Sequence, residues 1–326
     1  MHILRKRPWH LPESALTDEQ TWLDRRQIVK GLGLGTLLAG SGVLGASALA
    51  GTPDGTPPAG PIPKAYAYHL PPVKRNPAYP LDRPITEEEV AASYNNFYEF
   101  TTDKAKVWTM AASLQVKPWS IEVSGACQKP TTFSMEDILK KMPLEERTYR
   151  FRCVEAWSMA VPWTGFPVKA LLQAVKPLSS ARYVRLVTRD APAMFPGVTS
   201  QKWYPWPYHE GLTMKEAMND LAIFAVGIYG HALPNQHGAP FRLITPWKYG
   251  YKNIKSIVKI ELVQDEPKTF WHEVVPDEYD FWGNVRPDKP HPRWSQATER
   301  VIPTGERVPT LMYNGYAEQV AGLYPG

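Results

Sequence analysis

Proline recurs 33 times in this chain of 326 residues. Each proline removes a main-chain donor and clashes with the carbonyl four residues back, so a helix rarely runs through it. That density favours long irregular connections over a helical bundle, and the segments between prolines are short. Thr86 and Glu89 have capping-box spacing and are expected to open a short helix leading into residues 94–100. Residues 119–124 alternate like a strand, and Ser134 is placed to cap a helix through Lys141. Strands are expected at 148–154, 182–188, 221–228, 241–245 and 254–263, with helices at 168–175 and from Thr213 to about Asn219. The tail beyond Phe270 has no clear period, and 161–167 reads as irregular. Strict βαβ alternation and internal repeats are absent. The expected fold class is therefore α+β: a single large domain with a mixed, mostly antiparallel sheet and short helices.

The N-terminal region is of a different kind. Arg25-Arg26 precedes a weakly apolar, uncharged stretch from Gly31 to Ala50 that holds six glycines and ends in Ala48-Leu49-Ala50, a small-x-small cleavage pattern. A twin-arginine pair in this setting is an address for export of an already folded protein. The rival reading is a membrane anchor, since about 20 apolar residues can span a bilayer; either way the domain is expected in the periplasm. The boundaries expected are 1–50 signal peptide, 51–85 extended proline-rich arm and 86–326 folded domain.

The first 50 residues carry six Lys/Arg and four Asp/Glu, so the formal charge of +5 falls to about +3 without them. That is too small to argue for nucleic acid as a partner. No CxxC, HExxH or CxxCH occurs, which removes structural zinc, zinc-protease and c-type haem readings. Cys127 and Cys153 are the sole cysteines. In an oxidising compartment the plain expectation is one disulfide.

Two segments carry chemistry. In Phe151-Arg152-Cys153-Val154-Glu155-Ala156-Trp157 a cysteine stands at a strand end, where sites tend to be built. If the strand persists, Cys153 and Glu155 share one face. A thiolate suits a soft transition metal, and a neighbouring carboxyl group can relay protons; a buried inert cysteine or a disulfide half is the structural alternative. The second segment, residues 240–255, gathers Arg242, Lys248, Lys252 and Lys255 around a glycine turn. It suits a phosphate, with Arg binding in a fork and Lys as a point charge; a solvated basic hairpin is the alternative.

Together with the leader, the stretches NNFYEF, RFRCVEAWSM and PWKYGYKNIKSI resemble the bacterial periplasmic protein-methionine-sulfoxide reductases (MsrP, also YedY), molybdopterin enzymes of the sulfite oxidase fold. The resemblance runs from Arg25 to about Pro290. It implies a molybdenum–molybdopterin cofactor, one per chain, with Cys153 as the protein ligand to the metal. It further implies cofactor contacts from Asn95, Tyr98, Glu99, Thr188, His237, Arg242, Asn253, Ile254 and Lys255. His237 and Asn253 depart from the family's usual asparagine and glycine. It also implies two free sulfurs, because a Cys127–Cys153 disulfide would remove the ligand. Glu155 is the candidate proton relay. Electrons would come from a membrane-embedded haem b subunit, since no haem or iron–sulfur cysteine pattern is present, and the substrates would be oxidised periplasmic proteins. Three alternatives stand beside this reading: sulfite oxidation with the same cofactor, a disulfide-bonded binding protein without enzymatic activity, and a thiol hydrolase using Cys153. The aromatic run 203–208 either packs or lines the approach.

Overall fold

Apolar residues at period two put most of this core on strands. The computed structural model describes residues 60–63 and 65–324, all within one compact unit, Pro58–Gly326. Among the described residues twelve strands follow in chain order: β1 (Ser120–Gly125), β2 (Thr131–Ser134), β3 (Glu145–Arg152), β4 (Trp157–Pro167), β5 (Tyr183–Thr188), β6 (His209–Thr213), β7 (Ile223–Ile228), β8 (His231–Ala232), β9 (Arg242–Ile244), β10 (Ile257–Val263), β11 (Thr298–Val301) and β12 (Arg307–Pro309). They form two sheets. One has the order β2-β1-β10-β5-β6; the other runs β12-β11-β4-β7-β8, with β3 on β4 and β9 on β7. Pairing is antiparallel except for β1 with β10 and β11 with β4. The fold is thus the expected α+β with mixed, mostly antiparallel pairing, divided between two sheets.

In β1, Ile121 and Val123 alternate inward between exposed Ser120 and Glu122, the signature of a strand with one wet face. β7 is buried along its whole length. Burying a side chain such as Ile223 or Phe224 contributes roughly 1.5–3 kcal/mol, so β7 is an anchor of the second sheet. The helix Val168–Val175 turns Val168, Leu171, Leu172 and Val175 to the core, the i, i+3, i+4, i+7 stripe. Ser134 and Thr213 cap as expected: Ser134 accepts from the amide of Asp137, and Thr213 forms a full capping box with Glu216.

Three local expectations fail. Thr86 caps nothing; the helix runs Glu88–Ser93 with Glu87 at its N-cap and no side-chain capping bond. Thr86 is buried instead. Its hydroxyl oxygen accepts from the amide of Ala160 at 3.1 Å and its own amide donates to the Ala160 carbonyl at 2.9 Å. A long-range ladder to β4 outcompetes the local cap. Residues 161–167 are not irregular but the second half of β4, whose register is set by β3 on one side and β7 on the other. Strand pairing overrides the proline and glycine signals there. The tail beyond Phe270, expected without regular structure, contains a helix, Phe270–Val274, and strands β11 and β12.

Residues 65–85 lie along the domain. Tyr68 is buried and donates to the Val116 carbonyl at 3.0 Å. Lys74 and Asn76 bond the main chain of Glu146, with Arg75 paired to its carboxylate at 2.6 Å. No helix among the described residues is long and apolar enough to cross a membrane. The signal-peptide expectation for residues 1–50 falls outside the described residues.

Candidate active site

β3 ends at Arg152 and β4 begins at Trp157, so Cys153 and Glu155 sit in a tight turn between paired strands and not on one strand face. The Cys153 amide donates to the Trp157 carbonyl at 2.9 Å, and Ala156, at φ 61°, closes the turn by donating to the Cys153 carbonyl at 3.1 Å. The turn itself brings the two side chains together. The Glu155 amide and the Asn96 side-chain amide each donate to the Cys153 sulfur at 3.4 Å. Lys104 pairs with the Glu155 carboxylate at 2.7 Å.

Burial, then the neighbouring Glu155 charge, pushes the Cys153 thiol up to about 12. A free nucleophilic thiol works in the opposite way, through a depressed pKa. The environment therefore does not support the thiol-hydrolase reading. A thiolate at this position calls for a strongly positive partner, such as a metal ion.

Cys153 opens onto a cavity enclosing about 970 Å³ of space free of protein atoms, its mouth included. Nine of the eleven residues expected at the site line it: Asn95, Tyr98, Glu99, Cys153, Glu155, His237, Arg242, Ile254 and Lys255. Thr188 and Asn253 stand one layer back. The Thr188 hydroxyl donates to the Lys255 carbonyl at 2.8 Å. Asn253 turns its side-chain oxygen to Thr245 and offers its carbonyl to Arg242 at 3.1 Å.

The basic segment divides in two. Lys248 is fully buried against Glu216 and Lys252 against Glu210 at 2.5 Å, so both are already neutralised inside the protein. The expectation that all four cations serve a ligand is corrected for these two, and so is the alternative of a solvated hairpin. Arg242 and Lys255 face the cavity, and neither has a carboxylate within ion-pair distance among the described residues. Burial lowers Arg242 to about 9. Lys255 is lowered by burial and by Arg242, with Glu99 pulling it back up; burial in turn raises Glu99.

The cavity also has open polar valences. Asn95 donates to His237 Nδ1 at 3.4 Å, which leaves the ring proton on Nε2. That Nε2, the Asn95 Oδ1 and the Arg242 Nε are buried with no protein partner. Such groups are costly to bury unless a ligand completes them. One thiol, two cations without a carboxylate at ion-pair distance and three unpaired polar atoms fit an anionic, metal-bearing cofactor.

Sequence reading missed Asn96 and Lys104. Asn96 was in view within NNFYEF, but no periodicity there reveals which asparagine meets the sulfur. Tyr208, of the run 203–208, lines the cavity, whereas Trp203 is 73% exposed. Cys127 and Cys153 are both free thiols. Cys127 is buried beyond the end of β1, bridged to Pro177, while Cys153 sits in the turn that joins β3 to β4 of the other sheet. The structure contradicts the disulfide, and with it the Cys127–Cys153 binding-protein alternative.

A family model described as the oxidoreductase molybdopterin binding domain matches residues 108–271. Two curated relatives match nearly end to end. The protein-methionine-sulfoxide reductase catalytic subunit MsrP of Pseudomonas syringae pv. tomato is 46% identical over 323 residues, 96% of this chain and 94% of its own. That of Xanthomonas axonopodis pv. citri is 45% identical over 97% of this chain and 96% of its own. The solved sulfane dehydrogenase SoxCD from Paracoccus pantotrophus aligns with a TM-score of 0.42 at 17% identity, covering 61% of this chain and 46% of that one, a likeness too weak to argue from.

Proposed function

Because this chain belongs to the family of protein-methionine-sulfoxide reductase catalytic subunits and carries its molybdopterin-binding domain, we propose that it is the periplasmic enzyme reducing methionine sulfoxide within oxidised envelope proteins. It is a molybdenum–pterin oxidoreductase, and on our reading it holds one cofactor per chain. Methionine sulfoxide is the reversible rung of methionine oxidation, so the biological role is repair. The sulfur–oxygen bond breaks, the sulfur takes two electrons, and the oxygen leaves as water with two protons. The electrons come from a membrane-embedded haem b subunit, ultimately linked to quinol.

When bound, the cofactor supplies the two-electron couple and a Lewis acid for oxygen transfer. The protein's part follows from its own residues. Cys153 is the ligand, and its sulfur is oriented by the N–H groups of Asn96 and Glu155. Arg242 and Lys255 offset the cofactor's anionic end. Asn95 and the Nε2 of His237 supply its polar contacts, while Thr188 and Asn253 hold Lys255 and Arg242 in place. Glu155, fixed by Lys104, is the proton relay.

Trp157, Tyr98, Trp271 and Tyr279 wall the cavity beside Cys153. Aromatic walls suit the neutral side chain of a methionine sulfoxide, whereas a sulfite dianion calls for free cations, and Lys104 beside the turn is already paired with Glu155. The carrying observation is the coincidence, in one cavity, of the Cys153 thiol with Arg242 and Lys255, two cations that form no ion pair among the described residues. The deciding test is molybdenum and pterin content of the exported wild type beside Cys153→Ala, with sulfoxide reduction assayed on an oxidised protein. Near one of each per wild-type chain and loss of molybdenum in the variant are expected. Absence of both from wild type made in a cofactor-competent host would overturn the reading.

A further inference from the structure

Gln296 lies outside the segment matched by the molybdopterin-binding family model, in a tail that showed no sequence period. It is nonetheless 2% exposed and packed against the turn that carries Cys153. Its one amide group reaches both chain neighbours of that cysteine. The Gln296 Oε1 accepts from Arg152 Nη2 at 2.8 Å, and the Nε2 donates to the Val154 carbonyl at 2.7 Å. A single planar group thus bridges the residue before the thiol and the residue after it.

The surrounding bonds run the same way. The Val154 carbonyl also accepts from Trp294 Nε1 at 2.8 Å, and the Ala156 carbonyl accepts from the Arg300 amide at 2.9 Å. Arg152, fully buried, bonds the Cys153 carbonyl and is neutralised by Glu299 at 3.0 Å. The carbonyls of Cys153, Val154 and Ala156 are therefore held, and for two of them the donor comes from the tail. A turn of four residues with a positive φ at Ala156 has few bonds of its own to fix the direction of its side chains. Glutamine suits the bridge because it offers a donor and an acceptor without charge. Glutamate lacks the donor, and methionine, of similar length, lacks the donor and offers only a weak sulfur acceptor.

We propose that Gln296 is a positioning residue for the Cys153 thiolate, clamping the metal-ligand turn from the C-terminal tail through Arg152 and Val154. The inference deepens the proposed function and rests on Cys153 being the ligand. Gln296 touches neither the cavity nor the reacting atoms, so its effect is on the direction and looseness of the sulfur.

Two measurements on Gln296→Met test it. In the molybdenum-loaded full chain, the Mo(V) electron paramagnetic resonance spectrum and the thiolate-to-metal absorption are expected to shift while molybdenum content per chain stays near that of wild type. In full chain produced without molybdenum, Cys153 alkylation is expected to rise about tenfold, as losing bonds to buried groups implies, with Cys127 unchanged as the internal reference. Trp294→Phe, which removes a single bond to Val154, is expected to move both readouts the same way by less. Wild-type spectra and alkylation in Gln296→Met overturn the proposal. So does an equal rise at both cysteines, which marks general loosening. Should Gln296→Met fail to fold, Trp294→Phe decides by the same readouts. A wild type lacking molybdenum would instead overturn the functional reading, and the alkylation comparison still judges the clamp.

Discussion

Arg242 donates to the main-chain carbonyl of His237 at 2.8 Å, yet the Arg242 Nε and the His237 Nε2 both remain without a protein partner. The backbone bond fixes two side chains beside one another and leaves one N–H on each free for a ligand. A buried, unpaired guanidinium is destabilising by several kcal/mol unless a ligand compensates it. The pair therefore reads as built for an anion, and its consequences can be measured.

Arg242→Met is expected to abolish cofactor retention. The folded variant should lose molybdenum and pterin together, scored by metal analysis and pterin fluorescence. Full retention of both would show that the guanidinium is not a cofactor contact.

The His237 imidazole is lowered to about 3 by burial, helped by the charges of Arg242, His231 and Lys255. An unfolded histidine titrates near 6.5. Below that pH the unfolded chain takes up a proton that the folded chain refuses. The stabilising contribution is complete above pH 6.5 and is lost on acidification toward 3, at up to about 1.4 kcal/mol per pH unit. In metal-free protein, His237→Asn should flatten this part of the stability profile, read from urea unfolding at pH 4 to 7. An unchanged slope would remove His237 as its source.

Lys248→Met leaves Glu216 buried and unpaired, so a loss of about 3–5 kcal/mol is expected in chemical denaturation. Molybdenum per folded chain should not change, because this cation faces Glu216 and not the cavity. A selective loss of cofactor would return Lys248 to the binding site.

Glu155→Gln should keep molybdenum and lose turnover by roughly 10²-fold if the carboxyl group relays protons. Full turnover at every pH tested would take Glu155 out of the mechanism and leave it as the partner of Lys104.

Thiol titration of denatured, metal-free protein should find two free thiols, as in the structure. Cys127→Ala is expected to retain molybdenum, with a stability cost of about 1 kcal/mol for a small buried truncation. Loss of molybdenum in that variant would give Cys127 a role beyond packing.

The sequence by itself determined much of the frame. Alternation over residues 119–124, the strand at 182–188, the continuous apolar run ending at Ile228, and the caps at Ser134 and Thr213 are set by interactions among near neighbours, so they could be read locally. The thiol at Cys153 and the basic segment were legible as chemistry, and NNFYEF and RFRCVEAWSM carried the family. The tertiary structure decided what those residues face. Thr86 had the spacing of a cap and became a bond to β4; Lys248 and Lys252 had the charge of phosphate ligands and became partners of Glu216 and Glu210. Cys153 and Glu155 meet through a turn, not a strand face, and Gln296 reaches that turn from more than a hundred residues away. Burial and pairing depend on which distant segments close around a side chain. Charge and period do not specify that closure, because a buried cation is stabilised equally well by a distant carboxylate or by a ligand.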